Sequence, residues 1–489
     1  MTRDPARAGR TTSGRTTSTR CPAVMVFTRD LRVRDNPALC SAQQTADGVL
    51  PLFVLDPETL GTTASPGEPG DPAVRPPANP PCPNRVAFLA ASLQDLDTSL
   101  RELGSHLVLQ HGDWVHEVLR AVRNSGATAI HLADDVSLHA RHRFERLQRE
   151  AESCRVAVVR HPGVTVVPPG AIAPAGKTAF AVFTPYHRAW ERQRRRPILP
   201  IPDHLGPPPG QTSDTPRAHQ FLDEWSPDAQ QHSPDLPPGG ERAGLERLHT
   251  WVDEHLAEYE RSRDDLAAEA TSRISPYLHL GCLSPLEAAD LTRDLPGGSA
   301  FTRQLCWRDF FHQVLAARPD TARTDHTDRQ IPWTPDEDGY RAWATGRTGH
   351  PLVDAGLRQL RREGYMHNRA RMVVASFLTK DLLIDWRRGA AHFRSLLVDG
   401  DVACNQLNWQ WVAGTGTGNA LHRVLNPTRQ AQRFDPHGTY IRRHVPELAN
   451  LPGPAAHDPD PIERRRRGYP EPIVDHALAA QAFLSRVKR

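Results

Sequence analysis

The sequence predicts an α/β domain, built on a doubly wound, five-stranded parallel sheet, followed by an all-α domain. Three observations carry the prediction. Short apolar runs alternate with helix-like stretches through the N-terminal part of the chain. Residues 197–240 then hold eleven Pro among Gly, Ser and Asp, the texture of a connection. From Glu241 onward helical periodicity dominates, as in "ERAGLERLHTWVDEHLAEY" and "LVDAGLRQLRREGY".

The elements follow in order. Residues 1–22 carry Arg3, Arg7, Arg10, Arg15 and Arg20 among Thr and Ser, without the apolar stretch of a secretory signal. They are expected to form a disordered basic leader. "AVMVF" (23–27), "VLPLFVL" (49–55), "HLVLQ" (106–110), "AIHLA" (129–133) and "VAVV" (156–159) read as strands. These runs do not alternate with polar residues, which suits strands buried on both faces of a parallel sheet. Helices are expected near 36–44, 85–103, 114–124 and 138–151, and repeated β-then-α units make the sheet doubly wound. Ligands of such sheets lie at the carboxyl ends of the strands, which marks Thr28 to Arg32, Asp56, Gly112 and Asp134 to Ser137. No G-x-G-x-x-G follows the first strand, so the dinucleotide fingerprint is missing. Residues 57–83, with nine Pro, read as a long surface loop. The expected organisation is an α/β domain over 23–160, a Pro-rich connection over 161–240 and a helical domain over 241–489.

Composition narrows the function classes. Of 489 residues, 38% are hydrophobic and 24% charged, as in soluble globular proteins. No apolar run reaches the ~18–20 residues of a membrane span, so no membrane partner is expected. The seven Cys are scattered, odd in number and without a C-x-x-C pair. That argues against a disulfide framework or structural zinc and for a reducing cytoplasm. A net charge of +3 neither demands nor excludes nucleic acid. The 24 His are dispersed, and no Ser-His-Asp, Cys-His or metal-ligand constellation stands out, so no metal is expected.

Four segments of the helical part mix aromatics, Arg, Asn and acids within apolar patterns. They are "TSRISPYLHLGCLSP" (271–285), "RQLCWRDFF" (303–311), "GYMHNRARM" (364–372) and "DGDVACNQLNWQW" (399–411). Hydroxyls followed by Arg, as at Thr271-Ser272-Arg273, suit phosphate oxygens; the same residues also suit a helix N-cap. Trp307 beside Arg308 suits a nucleobase, or a core residue with a snorkelling neighbour. Asp399-Gly400-Asp401 on its own suits a turn.

Together these motifs, from "VMVFTRDLRVRDNPAL" (24–39) to "YPEPIVDH" (469–476), resemble the photolyase/cryptochrome flavoprotein family, specifically its microbial class I cyclobutane pyrimidine dimer photolyases. The resemblance implies FAD bound by the helical domain. Tyr259, Thr271, Ser272, Arg273, Ile274 and Ser275 match the phosphate and ribose site, with Phe301, Arg308, Asn368 and Arg371 around the cofactor. Asp399, Gly400 and Asp401 match the flavin's polar underside, with Asp399 expected to pair with Arg371. Asn405 matches the asparagine facing flavin N5. Trp333, Trp386 and Trp409 match an electron relay, with Trp409 nearest the flavin and Trp333 near the surface.

The same resemblance implies that Trp307 and Trp411 wall a pocket for the flipped dimer, with Gln304, Arg308, Phe311, Asn368 and Met372 about it. Arg263, Arg369 and Arg429 are the implied phosphate contacts. Gln304 is a departure, because the family usually has Glu there. Gln can donate through its NH2 group but has no acidic proton. His367 fits the class I pattern and is read as structural, and no long signalling extension follows "YPEPIVDH". The implied activity is light-driven electron transfer from reduced FAD to a dimer in DNA, by a monomer. The α/β domain would hold an antenna, with an 8-hydroxy-deazaflavin favoured over methenyltetrahydrofolate because "ADDVS" (133–137) resembles deazaflavin-binding members. A cryptochrome-like blue-light sensor and a light-independent flavin oxidoreductase are the competing readings.

Overall fold

The computed structural model describes residues 21–56, 82–210, 232–418 and 421–487. The basic leader up to residue 20 and most of the Pro-rich 57–83 loop lie outside the described residues.

Five parallel strands form one sheet in the order β3-β2-β1-β4-β5: β1 (Ala23–Val26), β2 (Val49–Leu55), β3 (Val108–His111), β4 (Ala129–Ala133) and β5 (Ala157–His161). The pleat divides the side chains of β1. Ala23 and Met25, with Phe27 just beyond, pack with Leu39, Leu93, Leu96 and Leu100 of helices Pro37–Thr45 and Pro83–Glu102. Val24 and Val26 pack on the opposite face with Val115, Val118, Leu119 and Val122 of helix Trp114–Ser125. Helices on both faces explain why the strand runs are continuously apolar. Two of these helices, and helix Leu138–Ser153 that follows β4, begin on side-chain caps. Asn36, Asp113 and Ser137 accept from the backbone N–H groups of Leu39, His116 and Ala140 at 3.1, 2.8 and 3.2 Å.

The loop after β1 joins the sheet to the helical part of the chain. The sequence marks Thr28 to Arg32 as a ligand position, but the structure uses much of this loop as a clasp. Arg29 Nε donates to the His279 carbonyl at 3.0 Å, and its guanidinium also pairs with Asp401. Fully buried Arg32 donates to the Gly281 carbonyl at 2.9 Å. The amides of Val33 and Arg34 are both bound by the Glu241 carboxylate, at 2.8 and 3.0 Å.

The connection is also more than a linker. It contains the helix Phe183–Arg192, whose Tyr186 and Trp190 are buried. Trp190 Nε1 donates to Asp309 Oδ2 at 2.9 Å. Pro185 lies in its first turn, where proline costs a helix little. One hydrophobic core runs from the sheet through Trp190 to Trp251, Phe301 and Leu407 of the helical part. No helix among the described residues is long and apolar enough to cross a membrane.

Candidate functional site

Helix Asn368–Ser376 starts at His367, whose Nδ1 accepts from the Arg369 amide at 3.1 Å. Arg371, in the first turns, reaches Asp399 with both terminal nitrogens, at 3.1 and 2.9 Å, and its Nε donates to the Met366 carbonyl at 2.7 Å. Burial alone would lower the guanidinium pKa; the charge of Asp399 and its hydrogen bonds reverse this and raise it. Ser275 Oγ donates to the same carboxylate at 2.5 Å. Three distant motifs, TSRIS, MHNRARM and DGD, therefore meet at one buried acid, and the expected Asp399–Arg371 pair is present.

The Thr271–Ile274 segment is a loop entering helix Ser275–Leu280. Arg273 adopts φ +52°, an unusual conformation for a long side chain. It pairs with Glu363 at 2.9 Å and lies over the Tyr365 ring at 4.8 Å. Arg247 of helix Glu241–His255 holds the loop from behind, donating to the Ser272 and Thr271 carbonyls at 2.9 and 3.1 Å. It forms no ion pair among the described residues, so its charge is available to an anion at this loop. Sequence reasoning missed Arg247, which sits in an ordinary amphipathic run. Tyr259 and Phe301 come together as expected, both packed on Trp251, with ring centroids 5.3 and 4.8 Å from it. Gly400 lies close to the Arg85 guanidinium, whose Nη1 a Cβ there would approach to 2.7 Å.

Asp401 faces elsewhere. It caps helix Val402–Ala413 by accepting from the Cys404 amide at 2.8 Å, and its other oxygen meets Arg29, with His312 at 3.5 Å and His279 at 3.9 Å. Burial opposes ionisation, but His312, Arg29 and the imidazole hydrogen bonds hold this carboxyl well below the usual carboxylate range. Asp401 is thus bound up in the interdomain clasp. Donor atoms of His312, Asp401 and Cys404 lie within 4.8 Å of one another, but the Arg29 charge already serves the acid. Asn405, one turn on, is buried and donates to the Ala390 carbonyl at 3.1 Å and to Gln406 Oε1 at 2.8 Å. Its Oδ1 accepts nothing among the described residues.

The three relay candidates differ in depth. Trp409 and Trp386 are buried and Trp333 is half-buried. Trp386 Nε1 donates to Asp325 at 2.8 Å. The tip of Trp409 rests on Gly389, where a Cβ would sit 2.3 Å from the indole.

Of the lesion candidates, Trp307 lies flat against Phe183, centroids 3.6 Å apart and planes within 3°, with Phe311 at 5.6 Å. One face of Trp307 is therefore covered. Half-buried Trp411 has the Gly416–Gly418 turn against it, where a Cβ at Gly416 would meet its amide nitrogen at 2.8 Å. Gln304 is half-buried and its amide makes no hydrogen bond among the described residues. Arg308 donates to the Val164 and Leu278 carbonyls at 2.5 and 3.1 Å, tying the 161–169 loop to the helical part. Arg369 pairs with Asp264 at 2.8 Å, lies over Phe434 at 4.3 Å and approaches Met372 Sδ at 3.8 Å. Asn368 and Arg429 are exposed, and Arg263 is half-buried.

A second concavity, a cavity of about 350 Å³, opens at the carboxyl ends of β4 and β5. Asp134, Asp135, Arg160, His161, Thr165 and His312 line it. It lies where open α/β sheets bind ligands, and its size suits a small organic molecule.

Comparison with known proteins places this architecture in a class. Residues 23–206 match the family described as DNA photolyase, and residues 301–489 match the FAD binding domain of DNA photolyase. The chain belongs to the DNA photolyase family. It is similar to the deoxyribodipyrimidine photo-lyase of Streptomyces griseus, 46% identical over 94% of this chain and 98% of that one. Among solved structures, a bacterial class III photolyase from Agrobacterium tumefaciens superposes with TM-score 0.85 at 31% identity, covering 97% of this chain and 99% of that one. A Synechocystis sp. cryptochrome superposes with TM-score 0.84 at 28% identity, covering 95% and 99%. Tyr259 and the Thr271–Ser275 loop lie ahead of the residues matched as the FAD domain.

Proposed function

We propose that the protein is a light-dependent carbon–carbon lyase that opens cyclobutane pyrimidine dimers in DNA, using FAD held in the helical part of the chain. The observation that carries this reading is the convergence of Ser275, Arg371 and Asp399 on one hydrogen-bonded group, with the Oδ1 of buried Asn405 left without a donor among the described residues. The residues fit the cofactor. Arg247 supplies uncompensated positive charge behind the hydroxyls of Thr271 and Ser272, a suitable setting for a diphosphate. Asn405 Oδ1 can accept from an N–H donor such as the N5 of a reduced flavin. When bound, reduced FAD supplies the photo-excited electron that opens the cyclobutane ring, and recovers it afterwards.

The chain's own residues position, shield and resupply. Asp399 holds Arg371 in place. Trp409 passes an electron inward under light, with Trp386 and Trp333 behind it. Trp307 and Trp411 offer aromatic faces to a flipped dimer, which stacks poorly in the duplex and is extruded at lower cost than intact bases. Gln304 donates from its amide to a dimer carbonyl, Asn368 lies beside the flavin and the lesion, and Arg263, Arg369 and Arg429 steer the DNA backbone. The β4–β5 cavity takes the antenna, an 8-hydroxy-deazaflavin in preference to methenyltetrahydrofolate. The enzyme works as a cytoplasmic monomer.

Incubating reduced protein with a thymine-dimer oligonucleotide, with and without blue light, tests the reading. Light-dependent recovery of intact thymines is expected. Light-dependent protein association without recovery would instead identify a photoreceptor, and turnover of a small donor in the dark an oxidoreductase.

A further inference from the structure

Among the described residues Trp409 packs on two aromatic rings, Trp343 and Phe393, and Trp386 is not one of them. The Trp409 indole meets Trp343 edge-on at 6.1 Å and Phe393 at 4.9 Å. Trp343 is fully buried and stacks on Tyr340 at 5.9 Å, with planes 28° apart. Tyr340 and Trp343 lie three residues apart on helix Glu337–Ala344, so they share a face. Tyr340 is half-buried. Two ring contacts, each in the ~4.5–7 Å range of packed aromatic pairs, thus lead from Trp409 to a phenol at the edge of the fold.

We propose that Tyr340 is the terminal electron donor of a second exit from Trp409, running Trp409–Trp343–Tyr340 beside the Trp386 and Trp333 relay. The proposal rests on Trp409 being the residue that donates toward the bound flavin. When light draws an electron from Trp409, Trp343 refills it and Tyr340 refills Trp343. Tyr340 gives up one electron and its phenolic proton, the proton passing to water, and ends as a neutral tyrosyl radical. An external thiol returns it to tyrosine by hydrogen-atom donation.

The surroundings favour this order. Trp343 Nε1 donates to the Val374 carbonyl at 3.1 Å. A neutral carbonyl in the interior does not take that proton, so oxidised Trp343 stays a radical cation and remains strong enough to oxidise a phenol. The Arg388 guanidinium lies 3.9 Å from the Tyr340 ring centroid, held there by Glu337 at 2.6 and 2.8 Å. A cation over the ring disfavours a second positive charge on it, so the proton leaves with the electron.

The test uses the holoenzyme with oxidised FAD, illuminated and freeze-quenched for electron paramagnetic resonance. A tyrosyl signal is expected in the wild type and in Trp386→Phe, where the other relay is blocked. It should be lost in Tyr340→Phe and in Trp343→Phe while the tryptophanyl signal remains. Tyr340→Phe keeps the packed ring, and unchanged flavin absorbance will confirm that cofactor and fold are retained. A tyrosyl signal that survives Tyr340→Phe, or that is missing from both wild type and Trp386→Phe, overturns the proposal. Trp409→Phe tests the underlying reading separately: all protein radicals should vanish, and their persistence would refute Trp409 as first donor.

Discussion

Asp399 accepts from one serine and one arginine that are 96 residues apart in the chain. Asp399→Asn removes the charge that holds Arg371 but keeps the shape. It is expected to cost about 1.5–3 kcal/mol, read from the urea midpoint, and to release FAD during gel filtration. Gln304 gives a second test at this scale. Gln304→Glu is expected to raise repair per absorbed photon and Gln304→Ala to lower it; equal yields for Ala and wild type would make the contact irrelevant. The Arg371–Asp399 pair was legible because both residues sit in distinctive motifs. Arg247 and Arg29 were not. A charge on an amphipathic helix and a charge in a loop look alike in sequence, whether they face water or a buried carbonyl.

Among the elements, the loop after β1 and the turn at Gly281 depend on each other. Gly281 has φ +71°, and a Cβ there would fall 1.9 Å from the Arg29 carbonyl oxygen. Gly281→Ala is therefore expected to force the clasp open, costing about 1–3 kcal/mol and lowering the melting temperature measured by circular dichroism. The strands and the four helices of the sheet were readable because buried parallel strands leave unbroken apolar runs. Helix Phe183–Arg192 was hidden by its surroundings: a ten-residue amphipathic piece inside a Pro-dense segment offers too few turns for its period to show. Strands β3 and β5 were readable in existence but shifted by one or two residues, since edge strands are only partly buried and end less sharply.

Across the molecule, burial suppresses protonation of several imidazoles. His131, His367, His392 and His444 each have their pKa lowered to about 4, chiefly by desolvation. In the unfolded chain these groups take up protons near pH 6.5. Between about pH 6.5 and 4 the unfolded state therefore binds more protons, and stability falls as pH falls. Glu241 acts in the opposite sense, because burial raises its carboxyl to about 7, and burial also raises Asp30, Asp309, Asp354, Glu363, Asp381 and Asp435; the lowered imidazoles, which also include His106, His161, His187, His279, His326 and His350, outnumber these carboxyls. Urea midpoints are expected to drop steadily from pH 7 to pH 5. A midpoint that rose over that interval would contradict the burial of these rings as neutral groups.

The core that runs unbroken from the sheet to Trp251 and Leu407 has a consequence for modularity. A chain cut between residues 206 and 241, however neatly it separates the two regions of family likeness, would strip apolar surface from both halves and part Arg29 from Asp401, Arg32 from the Gly281 carbonyl and Glu241 from the amides of Val33 and Arg34. The two parts are expected to melt in a single calorimetric transition, and exchanging one half for that of a distant relative should fail unless the clasp residues travel with it. What looks like two domains in tandem shares one core and one clasp, and is expected to unfold as one.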